Sequence, residues 1–364
     1  MKILHVITSL HIGGAEKLIV DIIPLLSQEG NEVDVLLFDG TVTPFKQQLE
    51  EYGVKIYDFM YGGFIYNPCY IFRLMSFLGK YDIIHTHNTA CQYFVAIARF
   101  LKRCRTAKFI TTEHNTTNKR RKIKGFRLID KWMYRQYDAI ISISEKATQN
   151  LKKFVGEYYP IYTIFNGIYL SKFIEAIPLN RESLSHTDEK DTILCMVAGF
   201  RPQKDQDTLI RTMKLLPTNY KLWLVGDGVR RSKCEEFAKV EQVEKRVVFW
   251  GIRSDIPNIL KTADVIIMSS HWEGLSLSNL EGMAAGKPFI ASDVSGLAEI
   301  VNGYGLLFQE GNAQELSELI KQLFSDNEFY NKIAFQCLGR ATDFGIEKMI
   351  KQYLGVYKTV WHIS

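Results

Sequence analysis

The stretch that decides the fold opens with Asp264-Val265-Ile266-Ile267-Met268. It passes through residues 269–272 and continues Glu273-Gly274-Leu275-Ser276-Leu277-Ser278-Asn279-Leu280-Glu281 towards Gly286-Lys287-Pro288. A short, almost wholly apolar run reads as a strand buried on both faces, as strands of parallel sheets are. The segment at 278–285 reads as a helix, with Gly286 just past its last turn as a C-terminal cap. Another apolar run follows at 288–291. Strand, loop, helix and strand in this order make a βαβ unit, so the loop at 269–277 lies at the carboxyl end of a parallel strand, where open α/β sheets bind ligands.

Outward from that unit the same alternation fills the chain. In the first half, strands are expected at 3–8, 32–38, 83–85, 108–111 and 139–142, and an apolar run at 160–165 ends at Asn166-Gly167. The first strand runs through Gly13-Gly14 into a helix at 15–28, which stops near Gly30. From 174 to 191 the chain turns polar and loses periodicity. A second series of strands follows at 193–198, 221–225, 247–250, 264–268 and 288–291, and an amphipathic helix at 346–360 closes the chain. A length of 364 residues also exceeds what one ordinary core accommodates. The expected division is a first domain over 1–167, joined by the last segment 346–364, and a second domain over 168–345.

The composition is that of a globular chain, with 46% hydrophobic and 23% charged residues and a net charge of +5. No apolar run reaches the roughly 18 residues of a membrane span. The apolar start at 1–7 runs directly into a glycine loop, so it reads as a buried strand and not as a signal peptide. The six cysteines are scattered without C-x-x-C spacing. That excludes a zinc knuckle or dithiol motif and leads us to expect reduced thiols in a cytoplasmic protein.

The chemistry-bearing residues cluster at strand ends. Backbone amides near 276–279 form a helix N-terminus, which favours a phosphate, and Glu273 and Glu281 offer one carboxylate to sugar hydroxyls and one to a ribose. In Gly199-Phe200-Arg201-Pro202-Gln203-Lys204, fixed Arg and Lys charges at a strand end suit a departing diphosphate. Gly13-Gly14-Ala15-Glu16 lets the backbone approach an anion at a helix start. Neither that loop nor Gly226-Asp227-Gly228-Val229-Arg230-Arg231 is a G-x-G-x-x-G fingerprint, which counts against a dehydrogenase. His85 and His87 share a strand face, but no neighbouring carboxylate or cysteine completes a metal set, so they read as polar groups at a strand end and no metal is expected. His114 is suited to hydrogen-bond a sugar hydroxyl or the leaving phosphate. The run Lys119-Arg120-Arg121-Lys122-Ile123-Lys124-Gly125-Phe126-Arg127 reads as a solvated loop or as a contact with an anionic membrane face. No nucleic-acid reader motif accompanies it.

Taken together these motifs resemble glycosyltransferase family four, the retaining GT-B enzymes, over nearly the whole chain. The E-x7-E segment from Glu273 to Glu281, with Met283-Ala284-Ala285-Gly286-Lys287-Pro288 behind it, carries the resemblance most specifically. Gly13-Gly14-Ala15-Glu16, His85-Thr86-His87, Glu113-His114, Asn166-Gly167-Ile168 and Leu224-Val225-Gly226-Asp227-Gly228 add to it.

The resemblance implies two Rossmann-like domains facing across a cleft, with the C-terminal helix returning to the N-terminal, acceptor-side domain. It implies donor binding by Gly14, Arg201, Lys204, Ile252, Arg253, Glu273, Gly274, Leu275, Ser276 and Glu281. Within that set Glu281 would hold the ribose, Glu273 the donor sugar, Arg201 and Lys204 the diphosphate, and backbone near Ile252 and Arg253 the base. Catalysis would rest on Glu273, Lys204 and His114, without metal or other cofactor. Many relatives carry Arg where this chain has Gly199; either Arg201, two positions on, takes that task or Lys204 works more alone.

The expected reaction is front-face transfer of a sugar from a nucleotide diphosphate sugar, UDP ahead of GDP, to a glycan or lipid-linked glycan in cell-surface polysaccharide synthesis. The protein would be cytoplasmic and peripheral on the inner membrane face through 119–127, with no nucleic-acid partner. The alternatives are a nucleotide-sugar epimerase on the same scaffold and a non-catalytic sugar-nucleotide-binding partner of a membrane assembly.

Overall fold

The structure, a computed structural model, describes residues 1–362 except 12, 61, 63, 115–123, 158, 185–186 and 274–276. The chain forms two compact units, Met1–Asn166 with Ile346–Ser364, and Gly167–Gly345. The first is built on seven parallel strands, β1 (Lys2–Ile7), β2 (Glu32–Asp39), β3 (Ile56–Met60), β4 (Ile83–His87), β5 (Lys108–Glu113), β6 (Ala139–Ser142) and β7 (Ile161–Thr163). Their spatial order is β3-β2-β1-β4-β5-β6-β7. The second unit holds β8 (Thr192–Val197), β9 (Tyr220–Val225), β10 (Val247–Gly251), β11 (Val265–Met268), β12 (Phe289–Ser292) and β13 (Leu306–Phe308), in the order β10-β9-β8-β11-β12-β13.

Each sheet starts in its middle, grows to one side, then crosses back and grows to the other. Loops leaving β1 and β4, and loops leaving β8 and β11, therefore diverge at the carboxyl edge and leave a crevice for a ligand. The central strands are continuous apolar runs because helices cover both faces: β1 buries Ile3, Leu4, Val6 and Ile7, and β11 buries all four of its residues. In the first unit Leu4, Val6, Phe38, Ile84 and Phe109 meet Val95, Tyr134 and Leu151 from the covering helices.

The helix Ile346–His362 belongs to the first unit. It packs on the helix Gly14–Gln28 and buries Met349, Ile350, Tyr353, Leu354 and Tyr357. Fully burying each side chain of this size contributes about 1.5–3 kcal/mol, which ties the end of the chain to its beginning.

Strands β3 and β13 were not among the expected strands, and both lie at a sheet edge. β3 mixes Tyr57 and Asp58 into its run and buries Phe59 alone, and β13 has three residues, so neither carries a strong apolar period. All six cysteines are free. Among the described residues no helix is long and apolar enough to cross a membrane.

Two glycines lock the loops of the second unit. A Cβ on Gly226 would lie 2.2 Å from the Ala198 carbonyl oxygen, and one on Gly228 would lie 2.5 Å from that of Phe200. Both glycines have positive φ, +136° and +155°. The loops after β8 and β9 are thereby held backbone to backbone, with the Phe200 amide donating to the Asp227 oxygen at 3.0 Å and the Arg230 amide to the Phe200 oxygen at 3.1 Å. A Cβ on Gly14, by contrast, would meet nothing within 4 Å. Gly228→Ala is expected to cost about 1–3 kcal/mol in a urea titration, whereas Gly14→Ala leaves the folding midpoint unchanged within error. Equal midpoints for both variants would refute this account of the loops.

Candidate functional site

In the second unit the loop after β8 turns through a short 3-10 segment, Pro202–Lys204. Asp205, in the left-handed region at φ 44°, caps the following helix by accepting from the Thr208 amide at 3.3 Å and the Thr208 hydroxyl at 2.6 Å. This turn aims Lys204 at the loop after β11, where its ammonium pairs with the Glu273 carboxylate in a short contact. Both side chains are largely out of water, with 13% and 6% exposed.

The carboxylate is fixed from other sides. Ser270 donates its hydroxyl to Glu273 Oε1 at 2.6 Å, and the Glu273 amide reaches the Ser295 oxygen at 3.4 Å. The two loops are also tied together by the His271 amide donating to the Gln203 oxygen at 2.8 Å and by Ser269 Oγ donating to the Asp205 oxygen at 2.8 Å. His271 Nδ1 in turn meets Glu310 Oε1 at 2.6 Å.

Arg201 is exposed, and its guanidinium Nε lies 3.7 Å from where a Cβ on Gly199 would stand. The guanidinium thus lies beside the side-chain position that Gly199 leaves empty, and among the described residues it has no ion-pair partner. Arg253 is engaged instead: it makes a bidentate pair with Asp255 at 2.8 and 2.6 Å and lies 4.9 Å over the Trp250 ring. Its neighbour Ile252 is 77% exposed just beyond β10. Glu281 lies partly buried on the helix Leu277–Ala284. Gly274, Leu275 and Ser276 lie outside the described residues, as do 119–123 of the basic run.

In the first unit Gly13 caps and Gly14 opens the first helix, with the Glu16 carboxylate against Gly13. Asn88, at φ 67° just after β4, donates to Thr8 Oγ1 at 2.9 Å and to Glu16 Oε1 at 3.3 Å. This brings the ends of β1 and β4 together at the crossover.

His85 and His87 are polar groups at the end of β4, as expected, but they do not face water. His85 and His87 are wholly buried, as is His5 of β1. His5 Nδ1 meets His87 Nε2 at 3.0 Å, and His87 Nδ1 meets His114 Nε2 at 3.0 Å. His85 bonds Tyr357 of the last helix at 2.6 Å and Thr112 at 2.7 Å. Sequence reading did not single out His5 or Tyr357. The signal available was a lone histidine inside an otherwise apolar strand. Burial lowers the imidazole pKa to about 3 for His5 and about 4 for His114. It also holds His85 and His87 well below the ordinary range, helped by repulsion from neighbouring imidazoles.

Comparison with known proteins bears on the family and the fold. The description Glycosyltransferase Family 4 matches residues 12–172, and Glycosyl transferases group 1 matches residues 180–336. Glycosyltransferase EpsD of Bacillus subtilis is 27% identical over 293 residues, 76% of each chain. The UDP-Gal:alpha-D-GlcNAc-diphosphoundecaprenol alpha-1,3-galactosyltransferase of Escherichia coli is 26% identical over 294 residues, 76% of this chain and 75% of its own. Alr3699/HepE of Anabaena, solved with UDP, superimposes with a TM-score of 0.86 at 21% identity, over 99% of this chain and 100% of that one. The same protein has also been solved with UDP-glucose.

The neutral histidines also set an acid limit. Their protonated forms are disfavoured in the folded chain, so between the folded and unfolded pKa values the unfolded chain binds more protons. Stability is therefore kept above the ordinary imidazole pKa of 6.5 and lost as pH falls below it towards about 4. The first unit should melt at progressively lower temperature from pH 6.5 down to pH 4.5, and a flat melting temperature across that range would contradict the assignment. The fold is GT-B, and the chain belongs to the glycosyltransferases of family four, which act with nucleotide sugars.

Proposed function

We propose that the chain transfers a sugar, with retention of anomeric configuration, from a UDP-sugar to a lipid-linked glycan during synthesis of a cell-surface polysaccharide. The observation that carries this is the Lys204–Glu273 pair between the loops leaving β8 and β11. In the structure the carboxylate neutralises the ammonium. When a donor enters, its diphosphate takes over Lys204 and Arg201 as counter-charges, and Glu273 turns its acceptor oxygens to the hydroxyls of the sugar. Glu281 holds the ribose, and the loop at Ile252 and Arg253 takes the base.

Gly14 has room for close approach of a phosphate, since nothing in the protein occupies the space beside it. His114 bonds an oxygen of the substrate. Bond breaking then needs no protein nucleophile: the departing diphosphate is stabilised by fixed positive charge, and the acceptor attacks from the face it leaves. Because Lys204 and Arg201 supply that charge, no metal ion is required. The choice of UDP is supported by the ligands of the Anabaena protein, and that of a lipid-linked acceptor by the diphosphoundecaprenol acceptor of the Escherichia coli relative.

The protein works at the inner face of the membrane. The helix Lys124–Tyr134, at the end of the basic run, leaves Leu128 75% and Ile129 49% exposed. Basic residues beside exposed apolar ones suit an anionic lipid surface.

Lys204→Ala and Glu273→Ala should each lower kcat by about 10²–10³ with the fold retained, and EDTA should leave the parent rate unchanged. UDP should raise the melting temperature where GDP does not. Parental turnover in both variants would overturn the site assignment, and loss of the parent rate in EDTA would overturn the metal-free mechanism. Flotation on anionic vesicles should fall on changing Lys119, Arg120, Arg121, Lys122 and Lys124 to Ser, by about tenfold at low salt. Unchanged flotation would remove the membrane role.

A further inference from the structure

The register of the first sheet builds a column of imidazoles. β1 and β4 are aligned so that His5 faces His85, and β4 and β5 so that His87 faces Thr112, two residues before His114. His85 stacks on His87 with centroids 4.3 Å apart at 29°, and His5 lies 5.2 Å from both. Through this column run two hydrogen bonds in series, His5 to His87 and His87 to His114, each 3.0 Å. One end is closed, because His5 Nε2 is buried with no partner. The other end is open, because His114 is half-buried and its Nδ1 has no partner among the described residues.

A neutral imidazole has one N–H and one lone pair. His87 bonds through both nitrogens, so it must donate from one and accept at the other, and the two bonds must run in the same sense. Only two tautomer sets satisfy this. In the first, His5 Nδ1–H donates to His87 Nε2, His87 Nδ1–H donates to His114 Nε2, and His114 is left with an outward Nδ1–H. In the second every proton sits on the opposite nitrogen, which buries an N–H of His5 with no acceptor and turns a lone pair outward at His114. Stranded buried N–H donors are rarer than stranded acceptors, so the first set is favoured.

We propose that His5 and His87 are positioning residues that hold His114 as a neutral imidazole with its Nδ1–H pointing outward, as a preset donor to a substrate oxygen. Burial supports this by keeping every member uncharged at neutral pH. A fixed donor needs no reorientation when negative charge develops on that oxygen, and the second set would present a lone pair that repels it. The proposal rests on the reading of His114 as a substrate contact.

A metal site competes for the same residues, since ring nitrogens of His5, His85 and His87 lie within 4.8 Å of one another. The nitrogens are already used, however: His85 bonds Tyr357 and Thr112, and His87 bonds His5 and His114. An ion would have to break bonds at both residues, and His5 Nε2 alone is unengaged.

The test is long-range ¹H–¹⁵N correlation of the full-length protein labelled at its histidine side chains, read without ligand at neutral pH. The expected result is the Nδ1–H form for His5, His87 and His114, where histidines in water favour Nε2–H. A His114 resonance in the Nε2–H form overturns the proposal, as does stoichiometric metal in the purified protein. His5→Leu should return His114 towards Nε2–H and lower kcat by about tenfold with UDP affinity unchanged. His5→Asn, whose amide can donate where Nδ1 did, should restore both. Leu and Asn variants with equal kcat and the same His114 tautomer as the parent refute it. The tautomers are read in the resting protein, so they decide the proposal even if no transfer occurs. Parental kcat in His114→Ala would instead refute the substrate role of His114 while leaving the tautomer result standing.

Discussion

A lysine ammonium and a glutamate carboxylate, each nearly out of water, sit against one another where the second sheet changes direction, and much of that unit is arranged so that they can. A charge at that depth is costly unless it is paired and hydrogen-bonded. The partner must therefore come from a neighbouring loop and be held still. The parallel sheet supplies the neighbour, because the crossover from β8 to β11 sets the two loops side by side. Gly226 and Gly228 supply the rigidity, by letting the next loop lie against the backbone of 198–200. Ser270, the caps at Asp205 and the bond from His271 to Gln203 then remove the remaining freedom.

The same pair would let a site proposed for a diphosphate hold its ammonium without a large unpaired charge. Glu273 neutralises Lys204. On the proposed reading a diphosphate would compete with the carboxylate because it brings more negative charge, and it would also meet Arg201, which is exposed beside the side-chain position that Gly199 leaves empty. Replacing the partner of a buried ion by a stronger one costs less than desolvating a free ammonium at the moment of binding. The carboxylate released in such an exchange would be left with acceptor oxygens for the hydroxyl groups of a sugar.

The alternation of apolar runs with helices made the parallel α/β fold readable, and the short E-x7-E segment pointed to the loop after β11, because both depend on local pattern. Edge strands β3 and β13 were not readable, since one mixes polar residues into its run and the other is three residues long. Pairing with a neighbour, not periodicity, makes them strands. His5 escaped for a related reason. Within a strand it looks like one polar interruption, and its meaning comes from register with β4, which no local pattern encodes. Tyr357 lies 272 positions from its partner His85, so the contribution of the last helix to the histidine column becomes visible only once the chain is folded.

The two units meet the same topological opportunity with opposite electrostatics. In the second unit formal charges are brought to the crossover and cancelled in pairs. In the first, the crossover strands bring imidazoles that burial keeps neutral. Neutral groups in series cost little to bury, yet they carry direction, because each proton fixes the sense of the next bond. A charged residue in the position of His87 would need a counter-ion inside the sheet, and an apolar one would leave His114 free to take either tautomer. A column of histidines avoids both, and it does so with residues that parallel register alone brings into line.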